Sequence, residues 1–352
     1  MVIVLALRAL PAKAGEEDVP VDHLGGVLSV IAVASLIMGI QTLPNGFSAS
    51  MGLLFATALV AGVLFFWRQK RAPRPLVDLD AASVPTFWVA ALAGTITFGS
   101  LMGALFLGAQ FTQNVLGYDS LKAALMTLPM SLMLIIISPF AGRMVQARGS
   151  RVTLAFGLVV VAVGFIIMIV TWHEGASVFV VLLSYAVVGA GVGACATPAA
   201  HALMASLPVS RAGMGSAFTD LTRDFGGAIM QAIMGTLLAV VYANYFRNAF
   251  ANLPPQEAAN LSQEAAEQMV GSYQGAEQVA QSYPQASAER VIAAANEAFT
   301  EGKSVAYILA LVLTLLALVL VLWKYPRRAQ ERAFFAQMQA QSAAEEAASA
   351  NA

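Results

Sequence analysis

Eight stretches of 19 to 25 residues contain no Asp, Glu, Lys or Arg, and they limit what this chain can fold into. Because lipid offers no hydrogen-bond partner, every backbone N–H and C=O within a bilayer must pair inside the protein. About 20 apolar residues span a hydrocarbon core of about 30 Å as a helix, whereas membrane barrels use alternating strands of about ten residues. The sequence therefore predicts an all-α polytopic membrane protein with eight transmembrane helices. The predicted helices occupy residues 24–43, 49–67, 87–109, 123–141, 152–172, 176–200, 225–243 and 304–323.

The composition excludes several other classes of protein. The chain is 59% hydrophobic and 11% charged, whereas a soluble domain carries about 25% charged residues. Its net charge of −1 offers no basic surface for nucleic acid. The single cysteine, Cys195, lies inside a predicted helix, so we expect it to pack as a small apolar residue. No metal-ligand spacing, catalytic triad or phosphate loop is present in the sequence, and we expect neither an enzyme nor a cofactor.

The distribution of Lys and Arg predicts the orientation of the chain. These residues concentrate in cytoplasmic loops of membrane proteins. Alternate connections between the predicted helices hold 14 basic residues on one side and 4 on the other, with Arg223 set aside. We therefore expect a cell membrane protein with both termini in the cytoplasm. This orientation is consistent with an even number of crossings.

Two long segments are predicted to lie outside the membrane. Residues 244–303 contain seven Glu and many Ala and Gln, interrupted by prolines, and we interpret them as amphipathic helices that form an external cap. Residues 326–352 are predicted to be a cytoplasmic tail, a frayed helix that passes into disorder.

Two motifs connect the chain to a known family. Residues 110–130 read QFTQNVLGYDSLKAALMTLPM, with Gln113, Gly117-Tyr118 and Leu128-Pro129 in the order found at the entry to the C-terminal half of the fourteen-helix drug/proton antiporters of the major facilitator superfamily. Residues 211–235 resemble the penultimate helix of the same family, in which an Arg is followed by paired small residues.

A third motif lies in the basic loop 142–151, within the sequence GRMVQARGSRVTL. It resembles the cytoplasmic motif G-x-L-A-D-R-x-G-R-K-x-x-L of the superfamily, except that Gln146 replaces its Asp and Ala147 replaces its first basic residue. Arginines here can bind carbonyls at helix C-termini and clamp neighbouring helices, or they can simply obey the positive-inside rule. If the loop is a gate, the residues that form it are Gly142, Arg143, Gln146, Arg148, Gly149 and Arg151.

The resemblance implies a domain division and a function. Residues 1–23 correspond to the end of a sixth helix and a linker, 24–75 to an extra hairpin with its cytoplasmic loop, and 76–325 to a C-terminal six-helix bundle. It implies proton-coupled efflux of amphipathic drugs by alternating access, driven by the proton gradient without a cofactor. Partners are the lipid bilayer, a small amphipathic substrate, and the N-terminal half, a second copy or a periplasmic adaptor. The alternative is a non-transporting truncated protein or assembly partner.

Three charged residues form the densest cluster near a predicted helix. The spacing of Asp220, Arg223 and Asp224 puts them on one face of a helix, where Arg223 can pair with either carboxylate. Ionisable groups at membrane depth usually face a polar pathway, so the cluster is a candidate for proton coupling or for a structural ion pair. Alternatively, all three lie in the cytoplasmic turn before residue 225. A helix that begins near Ala212 would instead place Arg223 well within it.

Further candidates are polar or small residues within the predicted helices. Gln110, Gln113 and Asn114, near Phe106 and Phe111, either line an outward vestibule for substrate or pair helices. Small residues at a spacing of four let helices approach closely, and a proline kinks a helix. We therefore assign a packing role to Gly189, Gly193 and Pro198. His201 can titrate near neutral pH but is more often a bland interfacial residue.

Overall fold

The computed structural model describes residues 22–46, 48–72, 76, 82–208, 212–251 and 262–350. The predicted end of a sixth helix and its linker lie almost entirely outside these residues. Within them the secondary structure is helical, without strands. The helices are α1 (His23–Thr42), α2 (Ala49–Gln69), α3 (Pro85–Gln110), α4 (Ser120–Met126), α5 (Leu128–Arg148), α6 (Ser150–Thr171), α7 (Val178–Ala205), α8 (Ala212–Ala251), α9 (Gln263–Gly271), α10 (Tyr273–Gln281), α11 (Gln285–Lys324) and α12 (Arg328–Ala350).

Eight segments of the described chain are long and apolar enough to cross a bilayer, which confirms the predicted fold class. They contain α1, α2, α3, α4 with α5, α6, α7, α8 and α11, and each overlaps one of the eight apolar stretches. Six of these segments, from α3 onwards, pack into one bundle, in which α7 lies against both α5 and α6, and α8 against both α3 and α11.

The two helices before the bundle form a hairpin that is closed by an acidic residue. The Asp22 carboxylate accepts hydrogen bonds from the Gly25 backbone N–H at 3.1 Å and from Arg68 Nε at 3.1 Å. The Gly25 hydrogen bond, helped by the Arg68 guanidinium, lowers the pKa of Asp22. The hairpin contacts the bundle at α8, where the Thr236 hydroxyl donates to the Ile40 carbonyl at 3.1 Å. Both helices are otherwise largely exposed along their apolar surfaces.

The helices of the bundle extend well beyond the apolar stretches. Helix α8 begins at Ala212, so the charged cluster that includes Arg223 belongs to the helix and not to a preceding turn. Helix α11 begins at Gln285, which makes much of the predicted loop 244–303 helical. Ala, Glu and Gln favour helices in water. An apolar stretch therefore marks where a helix is buried in lipid but not where it begins.

The expected cap is built from α9 and α10. These two short helices turn their apolar side chains inward, and Met269, Tyr273, Ala276 and Val279 join the main core of the bundle. Each helix is preceded by an N-cap serine, Ser262 or Ser272, whose side chain accepts a hydrogen bond from a backbone N–H in the first turn. This N-cap stabilises short helices that would be marginal alone.

Close contact between α5 and α7 depends on two glycines that carry a predicted packing role. A Cβ atom at Gly189 would collide with the Met130 carbonyl, and one at Gly193 would lie 2.7 Å from the Leu134 carbonyl oxygen. Pro198 is buried in the same helix, which continues to Ala205 and does not end near the proline. Small residues in α7 thus allow the backbones of two helices to touch.

We expect Gly189→Ala to lower the apparent melting temperature of the detergent-solubilised protein, because overpacking a close contact costs about 1–3 kcal/mol. The matched control is Gly62→Ala in α2, where an added Cβ meets no atom within 4 Å. That control should be neutral or stabilising by up to about 1 kcal/mol, since Ala favours helices over Gly. Equal melting temperatures for the two variants would contradict the close-packing argument.

Candidate functional site

A central groove of about 750 Å³ opens between α3, α5, α7 and α8. Its walls combine apolar side chains with hydroxyl, amide and charged groups, while α6 and α11 contribute none. The residues that define it include Phe98, Met102, Ser138, Thr197, Arg223, Asp224 and Gln231. A cavity that is mostly apolar, with a few polar groups, is typical of a small-molecule site.

Close contact between α3 and α8 positions the charged rim of this groove. A Cβ atom at Gly226 would collide with the Thr95 carbonyl, and a Cβ at Gly99 would lie 2.6 Å from the Gly226 carbonyl oxygen. The two backbones therefore touch directly. Arg223 and Asp224 precede this contact by less than one turn of α8, which fixes them at the edge of the groove.

The ion pair predicted for the charged cluster is not formed. The Arg223 guanidinium lies over the ring of Phe98, 4.8 Å from its centroid. Among the described residues, no carboxylate oxygen comes within 4.0 Å of that guanidinium. A cation over an aromatic face is stabilised electrostatically, and the neighbouring α3 offers such a face. Asp224 lines the groove with a carboxylate that is not neutralised by Arg223, whereas Asp220 does not line it.

The predicted vestibule residues line a second cavity, of about 390 Å³, beneath the cap. Gln110, Gln113 and Asn114 face this cap cavity together with Phe106. Gln113 is also engaged locally, because its side-chain N–H donates to the Ala109 carbonyl at 3.2 Å. Aromatic rings of the cap and bundle complete the wall, namely Tyr242, Tyr273 and Phe299.

Phe111 does not line this cavity. It begins a π-helical turn, Phe111–Val115, that follows α3, and its ring is buried and stacked on Trp172 at 5.0 Å. The turn directs Phe111 into the core, while Gln113 and Asn114 face the cap cavity.

A third cavity, of about 470 Å³, lies between the other two along α8. It lies between the hairpin helix α1 and the bundle. It shares Ala228 and Gln231 with the central groove, and Phe106 and Gly235 with the cap cavity. The three cavities therefore follow one another along the bundle from Asp224 to the cap.

The cap is held over its cavity by a chain of polar side chains. The Tyr273 hydroxyl donates to Asn296 Oδ1 at 2.8 Å, and Asn296 Nδ2 donates to Glu174 Oε1 at 3.0 Å. Burial, with the nearby carboxylates of Glu277 and Glu174, raises the pKa of Tyr273 to about 12. At neutral pH the tyrosine is therefore a neutral donor that links α10 to α11 and to the turn after α6.

Lys303 is a buried residue that the sequence analysis did not single out. Its side chain is 0% exposed, and its Nζ donates to the Trp172 carbonyl at 2.6 Å. The rings of Phe111, Trp172 and Tyr307 surround the ammonium at 5.0–5.9 Å. Lys303 directly precedes the last apolar stretch, where a Lys normally extends its ammonium to water. This position could have marked it as a candidate residue.

The basic loop 142–151 is a tight turn between α5 and α6. Gly149 has φ +88° and ψ 163°, a region that only glycine occupies readily. The Gln146 carbonyl accepts hydrogen bonds from Arg328 at 2.8 Å and from Arg332 at 3.1 Å, while Arg151 donates to the Leu322 carbonyl.

The other predicted residues of this loop make looser contacts. The Arg143 guanidinium lies 5.6 Å from the ring centroid of Phe140, and Arg148 is exposed in the last turn of α5. A Cβ on Gly142 would meet Thr197 only at an ordinary contact distance of 3.9 Å. Arginines therefore bind carbonyls at this end of the bundle, and two of them come from the C-terminal helix.

That C-terminal helix also supplies a buried carboxylate. Glu331 is 3% exposed and accepts hydrogen bonds from the Ser150 backbone N–H at 3.1 Å and from the Tyr325 hydroxyl at 2.9 Å. A negative charge at the N-terminus of α6 is favoured by the helix dipole. Residues 328–350 form a helix whose first turns dock on the basic loop through Arg328, Glu331 and Arg332. The ring of His201 contacts Phe335 of the same helix.

Comparison with known proteins identifies the family. The model of the Major Facilitator Superfamily matches residues 23–231. Multidrug efflux pump LfrA of Mycolicibacterium smegmatis is 30% identical over 324 residues, which are 91% of this chain and 62% of LfrA. Multidrug resistance protein Stp of Mycobacterium tuberculosis is 31% identical over 241 residues, 68% of this chain and 44% of Stp.

A solved structure is also similar, a bacterial homolog of the human lysosomal transporter Spinster in an inward-facing, occupied conformation. It has a TM-score of 0.49 and 17% identity, and the match covers 88% of this chain and 66% of that one. The chain spans about half the length of the curated relatives it matches. The family match covers more than half of this chain and runs from the hairpin into α8. The protein is a multi-pass membrane protein that belongs to the Major Facilitator Superfamily.

Proposed function

We propose that this chain forms part of a proton-coupled transporter that exports small amphipathic compounds. The observation that carries the proposal is the series of three cavities along α8, which begins at an unneutralised carboxylate and ends under the cap. Two relatives of about 30% identity are named as multidrug efflux or multidrug resistance proteins, which supports the export of drugs.

The lining of the cavities supports an amphipathic substrate. Phe98 and Met102 in the central groove and Phe106 in the cap cavity offer apolar surface to a flat or flexible ligand. Gln110, Gln113 and Asn114 offer hydrogen-bond donors and acceptors beside it. Such a lining binds through shape and apolar burial and makes few specific polar demands, which is consistent with several substrates.

We further propose that the chain is the C-terminal portion of a fourteen-helix antiporter. In this arrangement the hairpin α1–α2 joins two six-helix halves, and α3 to α11 form the second half. Transporters of this superfamily rock one half against the other around a central site, so export requires an opposing wall. A further six helices, a second copy or a periplasmic adaptor would supply the partner, and the basic end of the bundle would face the cytoplasm.

Asp224 is the proposed proton-coupling residue. It lines the central groove, and its carboxylate is not paired with Arg223, so it is open to a proton or to a cationic substrate. Asp220 precedes it by one turn of α8 but lies outside the groove. The two carboxylates therefore provide a matched pair for a functional test.

In a complete transporter that contains this chain, we expect Asp224→Asn to reduce proton-dependent efflux at least tenfold at unchanged expression. Asp220→Asn should keep efflux within about twofold, because its side chain does not reach the cavity. The measurement is efflux of a fluorescent amphipathic dye from vesicles with an imposed pH gradient. Full, pH-dependent efflux by Asp224→Asn would exclude this residue from coupling, whereas loss in both variants would indicate a general charge requirement at the start of α8.

The docked C-terminal helix is proposed to set the conformation of the basic loop, and thereby the gate. Glu331 supplies the charge that Gln146 cannot, because its carboxylate binds the first backbone N–H of α6. The conformation of the basic loop also requires Gly149, because any side chain there would be strained and would approach Arg328 Cβ to 3.1 Å.

We expect Glu331→Gln to lower the apparent melting temperature, since losing a buried charged acceptor costs about 1–3 kcal/mol, and to slow transport in a complete version. Gly149→Ala should have the same two effects through backbone strain. Gln339→Ala, on the exposed face of α12, is the control and should be neutral. Normal stability and normal transport in Glu331→Gln would remove the proposed role of the helix in gating.

A further inference from the structure

A second groove, of about 760 Å³, lies at the basic end of the bundle and is separate from the three cavities along α8. It is bounded by the start of α3, the end of α11 and the start of α12. Three cations line it, Arg151, Lys324 and Arg327, and none of its lining residues is acidic. We refer to it as the basic groove.

The cations of the basic groove keep most of their hydrogen-bonding capacity. Arg151 donates to the Leu322 carbonyl, which uses part of one guanidinium. Lys324 lies 4.2 Å above the ring of Trp323, and Arg327 is exposed. A guanidinium offers five donors and an ammonium three, so an anion in the groove would find many partners.

An acidic side chain of α12, Glu331, does not line the groove. Both oxygens of Glu331 are already engaged, one by the Ser150 N–H and the other by the Tyr325 hydroxyl. Burial and the Glu331 carboxylate raise the pKa of Tyr325, so this hydroxyl keeps its proton and remains a donor. Three lining cations against this one carboxylate leave the groove with an excess of positive charge.

The position of the groove relative to the membrane indicates whether a ligand reaches it from water or from lipid. Trp323 is 73% exposed and ends the apolar stretch 304–323, the position at which tryptophans mark the membrane–water interface. Leu322 and Phe334 add apolar wall next to the cations. The site thus offers charge on the water side and apolar surface on the lipid side.

We propose that the basic groove binds the phosphate of an acidic phospholipid from the leaflet at this end of the bundle. Basic pockets between transmembrane helices at the interface bind anionic headgroups in this way, with acyl chains along the apolar wall. The lipid would link α3, α6, α11 and α12, of which α11 and α12 also contact the basic loop. This inference stands on the groove alone and does not depend on the proposed transport function.

The test is native mass spectrometry of the purified, detergent-solubilised chain titrated with phosphatidylglycerol or phosphatidylcholine. We expect the wild type to bind phosphatidylglycerol at least tenfold more tightly than phosphatidylcholine. Lys324→Gln with Arg327→Gln should weaken phosphatidylglycerol binding about 25-fold, since each juxtamembrane cation contributes about fivefold. Each single variant should weaken it about fivefold.

The matched control is Lys70→Gln with Arg71→Gln, which removes the same charge at the end of α2. Arg71 lies over Trp67 at 4.1 Å, as Lys324 lies over Trp323, but neither hairpin cation lines the groove. This control should bind within about twofold of the wild type, and an equal loss in both double variants would overturn the proposal. Equal binding of the two lipids by the wild type would also overturn it.

Inorganic phosphate distinguishes the two sources of the anion. We expect no displacement of phosphatidylglycerol by millimolar phosphate, because phosphate lacks the acyl chains that contact the apolar wall. Displacement at that concentration would assign the groove to a free anion and overturn the lipid proposal. In that case phosphate alone should raise the apparent melting temperature as much as phosphatidylglycerol does. The apparent melting temperature of every variant confirms that a loss of binding is not a loss of fold.

Discussion

The structure depends on the absence of hydrogen-bond partners for the backbone in hydrocarbon. This constraint forces each apolar stretch into a helix and leaves only the contacts between helices to be chosen. Because apolar side chains gain little by leaving lipid for each other, close backbone contact decides which helices touch. Gly189 and Gly193 bring α7 against α5, and Gly226 brings α8 against α3. The central groove lies between these contacts, where the four helices separate.

The exclusion of charge from hydrocarbon also determines where the charged residues lie. At the basic end of the bundle, cations bind backbone carbonyls or lie over aromatic rings. Arg328 and Arg332 converge on the Gln146 carbonyl, and Glu331 binds the start of α6. The basic loop thus receives its carboxylate from a helix about 180 residues away along the chain. Gln146 stands where the similar family motif has Asp, and the carboxylate of Glu331 lies at the same turn.

The sequence was sufficient for the number and place of the membrane helices, because exclusion of charge from lipid is a local property. It was insufficient for helix ends. Gln285 begins a helix in polar sequence, where helix propensity does not distinguish a helix in a bundle from one in a loop. It also missed Glu331 and Lys303, whose burial results from contacts with distant elements. The vestibule amides were found together because they lie within two turns of one helix end, a spacing that the sequence does contain.

The position of Arg223 has a consequence for the proposed coupling. Had it paired with Asp224, a cationic ligand would have to displace the guanidinium to reach the carboxylate. Because Arg223 lies over Phe98, the charge of Asp224 is balanced by no contact in the groove. A carboxylate in that state gains from any cation that enters, whether a proton or a positively charged substrate. Competition between the two for one carboxylate is sufficient for exchange, provided that the opposing wall closes the groove between the binding of one and the other.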